Sequence, residues 1–144
     1  MKGSEEPKTI LAAVNDLFFY TKIRDAFRDR YAVERAKSQS DMSEKVSGLA
    51  PAAVILNMND DKIDAFQALA DLKRVADGRI PVLAFANHEE VETWRRAKEL
   101  GVTKIVSRNE FSARMRALVD DVLANGSAAH HLDDTMRKPS VNEP

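Results

Sequence analysis

The residues with most chemical potential stand just behind short apolar runs. Asn15-Asp16 follows Thr9–Val14, and Asn57-Met58-Asn59-Asp60-Asp61 follows Ala52–Leu56. Ala86-Asn87 closes the run from Ile80, and Ser107-Arg108 follows Lys104–Val106. If these ends converge, they bring carboxylates, side-chain amides and a hydroxyl together. A carboxylate can ligate a hard divalent cation or attack an electrophile. An amide oxygen is neutral and a poor nucleophile, so Asn57 and Asn15 offer hydrogen bonds and little else. The simplest expectation is that Asn57 bonds across the strand ends to Asp16, or to Ser107 if that comes close. Asp60 and Asp61 are the alternative nucleophiles, but an Asp pair behind a strand more often serves a solvated loop that starts the next helix.

Other chemistries find less support. His88, His130 and His131 are scattered, with no partner at ligand spacing, so no metal centre is expected. The chain has no cysteine, which removes disulfides and thiolate ligands. No glycine-rich loop follows the first apolar run, against a nucleotide-phosphate cradle. Arg95, Arg96, Arg108, Arg114 and Arg116 are interleaved with Glu89, Glu90, Glu92, Glu99, Asp120 and Asp121. That pattern reads as a salt-bridged, solvated face, not a nucleic-acid reader. The net charge of −1 creates no field toward nucleic acid or anionic lipid. The apolar runs are too short to span a bilayer, and the polar start (Met1-Lys2-Gly3-Ser4-Glu5-Glu6) has no apolar leader core. A cytoplasmic location is the expectation.

The elements that must position the strand-end residues follow from periodicity. Thr9–Val14, Tyr31–Val33, Ala52–Leu56, Ile80–Ala86 and Lys104–Val106 read as strands. Ala52–Leu56 is apolar throughout, as expected of a strand buried on both faces. Between and after the strands, apolar residues recur at helical spacing. They are Phe19, Ile23, Ala26 and Phe27; Met42, Val46 and Leu49; Ile63, Phe66, Leu69, Leu72 and Val75; Val91 to Leu100; and Phe111, Met115, Leu118, Val119 and Val122. Asp41 with Glu44 fits a capping box for the second helix. Five strand–helix repeats predict an α/β fold with a parallel sheet covered by helices on both faces. Such sheets place their working site at the carboxyl ends of the strands. A domain at 8–124 is expected. Asn125-Gly126-Ser127 reads as a helix stop, with a polar, disordered tail over 125–144.

The order and spacing of these elements resemble the receiver domain of two-component response regulators, the CheY-like family, across nearly all of 8–124. Ala13-Val14-Asn15-Asp16 resembles the end of its first strand, where an acidic pair binds magnesium. Val54-Ile55-Leu56-Asn57-Met58-Asn59 resembles its third strand, which ends in the phosphorylated aspartate. Ile80–Ala86 resembles the fourth strand, which carries a Thr or Ser beside the phosphate, and Ala97–Val102 resembles the approach to the fifth. The resemblance implies a flavodoxin-like (βα)5 doubly wound sandwich with strand order 2-1-3-4-5.

It also implies a degenerate phosphorylation pocket. The acceptor position holds Asn57, the first acid is Asn15, the hydroxyl position is Ala86 and the lysine position is Ser107; Asp16 alone keeps its type. A magnesium site would hold one carboxylate, so weak or absent Mg²⁺ binding and no other cofactor are expected, and no catalysis. The resemblance implies a pseudo-receiver acting by phosphorylation-independent protein–protein contact in a two-component-type pathway. Its alternative is a phosphorelay receiver using Asp60 or Asp61. The contact surface it implies is the fourth helix, fifth strand and fifth helix, facing another signalling protein or a second copy of the chain. Trp94 lies roughly 90° off the sheet-facing stripe at 100° per residue. With Val91 it would form an apolar edge beside Lys104, or else fold over the core rim.

Overall fold

The computed structural model describes residues 8–136, and the side chains of 8–124. The elements are β1 (Thr9–Ala13), α1 (Leu17–Ala26), β2 (Ala32–Arg35), α2 (Gln39–Leu49), β3 (Ala53–Asn57), α3 (Ala65–Ala76), β4 (Val82–Ala86), α4 (Val91–Glu99), β5 (Lys104–Ser107) and α5 (Arg108–Met136). The sheet is parallel, as the alternation predicts, and its order is the β2-β1-β3-β4-β5 that the resemblance implies. The order reverses between β1 and β3, which opens a crevice at their carboxyl ends.

Side chains alternate faces along each strand, so each strand feeds two cores. Leu11, Val54, Leu56, Ala84 and Ile105 pack with Met42, Val46, Leu69, Leu72 and Ala97 from α2, α3 and α4. Ile10, Ile55, Leu83, Phe85 and Val106 pack with Phe19, Ile23, Phe27, Phe111 and Leu118 from α1 and α5. In the second core Phe85 stacks on Phe111 at 4.7 Å, and Phe19 meets Phe85 edge-on at 5.3 Å. Each ring pair adds about 0.5–1.5 kcal/mol beyond the area it buries. This aromatic floor lies under the strand ends and fixes where β4 and β5 deliver Ala86 and Ser107, which are paired in register.

Three local expectations are corrected. The cap of α2 is Ser38, not Asp41: Ser38 Oγ accepts the Asp41 N–H at 3.1 Å, and Asp41 reaches back to the Lys37 N–H at 2.9 Å. The pair resembles a capping box one turn earlier, with Asp41 meeting the N–H of the residue before the cap. Helix α3 starts at Ala65, capped by Asp64, with Ile63 buried ahead of it in the loop and Val75 left half exposed. Ile63 therefore does not share the helix's phase, and the stripe that buries is Ala65, Ala68, Leu69, Leu72 and Ala76. The backbone of α5 breaks from helical geometry at Arg114 and runs on through Asn125-Gly126-Ser127 to Met136, where the sequence pattern predicts a stop. One glycine costs a helix about 1 kcal/mol, too little to end it alone. The remaining ends, 1–7 and 137–144, lie outside the described residues.

Candidate functional site

Asn57 is the last residue of β3 and pairs with Phe85 of β4. Among the described residues it is the one buried polar side chain, 6 % exposed. Its Oδ1 accepts the Asn59 N–H at 2.9 Å, closing an Asx turn over its own loop. The expected bond across the strand ends to Asp16 or Ser107 is not formed among the described residues. The N–H two residues on is local, so meeting it orders no second element.

Asp16 caps α1, its Oδ1 accepting the Phe19 N–H at 3.1 Å. Its Oδ2 lies 3.6 Å from Arg108 Nη2. The Arg108 guanidinium sits 4.3 Å above the Phe19 ring centre and 5.6 Å from that of Phe85, so cation–π attraction holds it over the aromatic floor. Asn15 is fixed through its main chain and through its Oδ1, which accepts from Arg35 Nη2 at 3.3 Å. Its N–H donates to Asp60 Oδ2 at 2.7 Å, and Arg35 Nη2 donates to its carbonyl at 2.8 Å. Asp60 Oδ1 accepts the N–H groups of Lys62 and Ile63 at 2.8 and 3.2 Å. Both Asp60 oxygens are thus committed to backbone donors, and the residue ties the β3–α3 loop to the end of β1. Asp61 is exposed. Ala86 is buried and contributes a methyl group, and Ser107 Oγ accepts the Glu110 N–H at 3.0 Å in the first turn of α5.

A second polar cluster joins the β3–α3 loop to the start of α4. Asn59 Oδ1 accepts the Asn87 N–H at 3.1 Å, and Asn59 Nδ2 donates to Glu90 Oε1 at 2.8 Å. Asn87 Nδ2 donates to Glu90 Oε2 at 3.4 Å, and Thr93 Oγ1 to Oε1 at 3.3 Å. The side-chain amides of Asn59 and then Asn87, followed by the Thr93 hydroxyl, hold Glu90 below its usual carboxylate range. Sequence reasoning missed this cluster and the Asp60 tie. The Asp60-x-x-Ile63 spacing signals a loop cap, but nothing in sequence joins residues 59 and 90.

Of the expected contact edge, Val91 is 72 % exposed. Trp94 is partly buried against the α2–α3–α4 core, and its indole N–H donates to the Asn87 carbonyl at 3.0 Å. Lys104 Nζ lies 3.7 Å from Asp121 Oδ2 on α5. At the other end of the crevice Leu17 and Phe18 are 60 % and 85 % exposed beside Asp16, an apolar ledge the sequence reading did not single out. The arginines are occupied: Arg95 pairs with Glu92 and Glu99, Arg114 with Glu110, Arg116 with Asp29, and Arg96 lies over the Phe66 ring. His88 falls in the turn before α4, and the side chains of His130 and His131 lie outside the described residues. No group of three His, Cys, Asp or Glu side chains among the described residues gathers as a metal site. No helix among them is long and apolar enough to cross a membrane.

Solved structures match this arrangement over most of the chain. NtrX from Brucella abortus superposes with a TM-score of 0.76 at 14 % identity, over 94 % of this chain and 31 % of that one. The Francisella response regulator 1452 receiver domain gives 0.65 at 13 % identity, over 80 % of this chain and 98 % of that one. The chain has the receiver fold. Full-length FixJ from B. japonicum adds a TM-score of 0.75 at 15 % identity, over 90 % of this chain and 64 % of that one. The receiver fold thus spans about a third of NtrX and under two thirds of FixJ. No family model matches the sequence, and no curated relative matches it.

Proposed function

We propose that this receiver-fold chain is a pseudo-receiver, a signalling module of the two-component type that acts by binding another protein without phosphoryl transfer. The observation that carries the reading is Asn57 itself. The residue at the end of the central strand is an amide, buried, with its oxygen already engaged by the Asn59 N–H. Attack on phosphorus needs an anionic oxygen there, with a cation to offset the charge.

The surrounding residues support the same conclusion. The residues at the strand ends do not fit a magnesium ion: Asp16 caps α1 with one oxygen and faces Arg108 with the other, and Asn15 is neutral. Ala86 offers no hydroxyl, and Ser107 accepts a backbone N–H where the resemblance calls for a lysine. In this reading the module needs no cofactor, catalyses nothing and works inside the cell. Its contact face is α4, β5 and α5, with Val91 and Lys104 at the surface and Trp94 bracing α4 from beneath. That face would receive a signalling protein or a second copy of the chain, with neither nucleic acid nor membrane as partner, since Arg95, Arg114 and Arg116 are ion-paired and Arg96 lies over the Phe66 ring. The alternative acceptor Asp60 is disfavoured because three backbone N–H groups occupy its oxygens.

Incubation with acetyl phosphate, and separately with beryllium fluoride, in millimolar Mg²⁺ tests the reading. The expected result is no gain in mass and no change in Trp94 fluorescence. A phosphoryl adduct on any aspartate, or a Mg²⁺-dependent fluorescence change, overturns it.

A further inference from the structure

In a receiver fold without phosphate chemistry, something else must set the position of α4 relative to the β3–α3 loop. The loop and the helix start are 31 residues apart in sequence at Asn59 and Glu90, yet their side chains bond directly at 2.8 Å. Asn87 is held at three of its polar groups: its N–H by Asn59, its side-chain amide by Glu90, and its carbonyl by the Trp94 indole. Thr93 Oγ1 adds a further bond to Glu90. Two backbone bonds complete the turn, Glu90 N–H to Asn87 O at 3.1 Å and Trp94 N–H to Glu90 O at 3.2 Å.

The chemistry is complementary group by group. Asn59 presents one acceptor and one donor, and the α4 start presents one donor, Asn87 N–H, and one anionic acceptor, Glu90. Asn59 is therefore bonded at both ends of its amide. Bonds to an ionised acceptor are the stronger kind, which favours this one arrangement over a solvated loop.

We propose that Asn59, Asn87 and Glu90 form a latch that fixes the start of α4 to the β3–α3 loop through both ends of the Asn59 side-chain amide. The latch holds Val91 at the surface and Trp94 under the helix in a single arrangement, so the α4 face is presented constitutively. The inference deepens the pseudo-receiver reading, because a latch of this kind supplies the loop-to-helix connection with no modification at residue 57.

The test is amide hydrogen exchange on the full chain, comparing wild type with Asn59→Ala, Asn59→Asp, Glu90→Gln and the double variant Asn59→Asp/Glu90→Gln. Asn59→Ala removes both bonds from the loop side, and Asn59→Asp sets a carboxylate against Glu90. Either change should speed exchange over 87–94 by about tenfold or more, with protection in β1 and β3 unchanged. The double variant restores a donor–acceptor pair with the roles exchanged and should return exchange to within about threefold of wild type. Unchanged exchange over 87–94 in both Asn59 variants overturns the latch. So does a loss of protection spread evenly over the sheet, which would mean general stability and no local device. This readout involves no phosphate or magnesium, so its failure leaves the acetyl phosphate result standing, and the reverse also holds.

Discussion

Asn57→Asp would place a carboxylate at the end of β3 and, on the pseudo-receiver reading proposed for this chain, should not confer phosphoryl transfer. Aspartate has the size and shape of asparagine, so the substitution opens no cavity and keeps the bond from Asn59 N–H. What changes is charge at a site only 6 % exposed. The carboxylate would gain one backbone donor, while Asp16 and Asp60 carry like charge at neighbouring strand ends and Arg108 is already turned toward Asp16. Burial and like charge both raise a carboxyl pKa. A rise of about 1.5 units at about 1.4 kcal/mol per unit gives a loss near 2 kcal/mol. The sign fixes the window. A carboxyl whose folded pKa lies above its unfolded value of about 3.9 weakens the fold at neutral pH, and the penalty fades as pH falls through the folded value and is nearly gone by about pH 4. Urea melts of wild type and variant at pH 8 and pH 4 read this directly: a gap of about 2 kcal/mol at the first should shrink to a few tenths at the second. Acetyl phosphate with Mg²⁺ should leave the variant unlabelled. A variant as stable as wild type at pH 8 refutes the buried-charge argument, and one labelled efficiently by the phosphodonor refutes the proposal that the residue types at Asn15, Ala86 and Ser107 preclude the chemistry.

Millimolar Mg²⁺ should leave the thermal midpoint of the wild-type chain in place, since only binding to the native state moves it; a rise of several degrees by calorimetry would reveal a site. Trp94→Ala should cost about 2 kcal/mol in a denaturant melt, because a partly buried indole and its bond to Asn87 are lost; a cost near zero would mean the ring is free for a partner. Asp60→Ala should cost about 1–2 kcal/mol, as three backbone N–H groups lose their acceptor, and amide exchange at Asn15, Lys62 and Ile63 should rise together. Arg30, by hydrogen bond, and Tyr31 hold Asp120 below its usual carboxylate range, so the tie from α5 to the start of β2 is present above about pH 4 and lost as pH falls through the folded value. The stability gap between wild type and Asp120→Asn, about 1 kcal/mol or less for so exposed a pair, should therefore close in acid, and a gap that persists at pH 2 would argue against the ion pair as its source.

The fold was legible because its signals are local and repeated. Five apolar runs alternate with helical stripes, and a buried parallel strand such as Ala53–Asn57 must be apolar along nearly its whole length. Where one residue belonged to two patterns, the reading slipped. Ile63 has helical spacing with Phe66 yet sits in the loop, and Asp41 looks like a cap yet answers to Ser38. The glycine at 126 looked like a stop, but a stop needs a cap or a break in backbone direction, and one unfavourable residue supplies neither.

At the strand ends, residue identity came from sequence and arrangement did not. Sequence alone placed Asn57, Asn15, Asp16, Ala86 and Ser107 at the ends of successive strands, because strand order and length fix which residues emerge there. It also limited their chemistry, since an amide or a methyl cannot do the work of a carboxylate or a hydroxyl wherever it points. Only the tertiary structure decided what each polar group bonds to. Asn57 turned to its own loop, Asp60 crossed to β1, and Asn59 met Glu90 over 31 residues of chain. Hydrogen bonds reach about 3 Å and depend on direction. A sequence pattern carries identity and spacing along the chain, whereas these pairings follow from how far each loop travels once the sheet has set its ends.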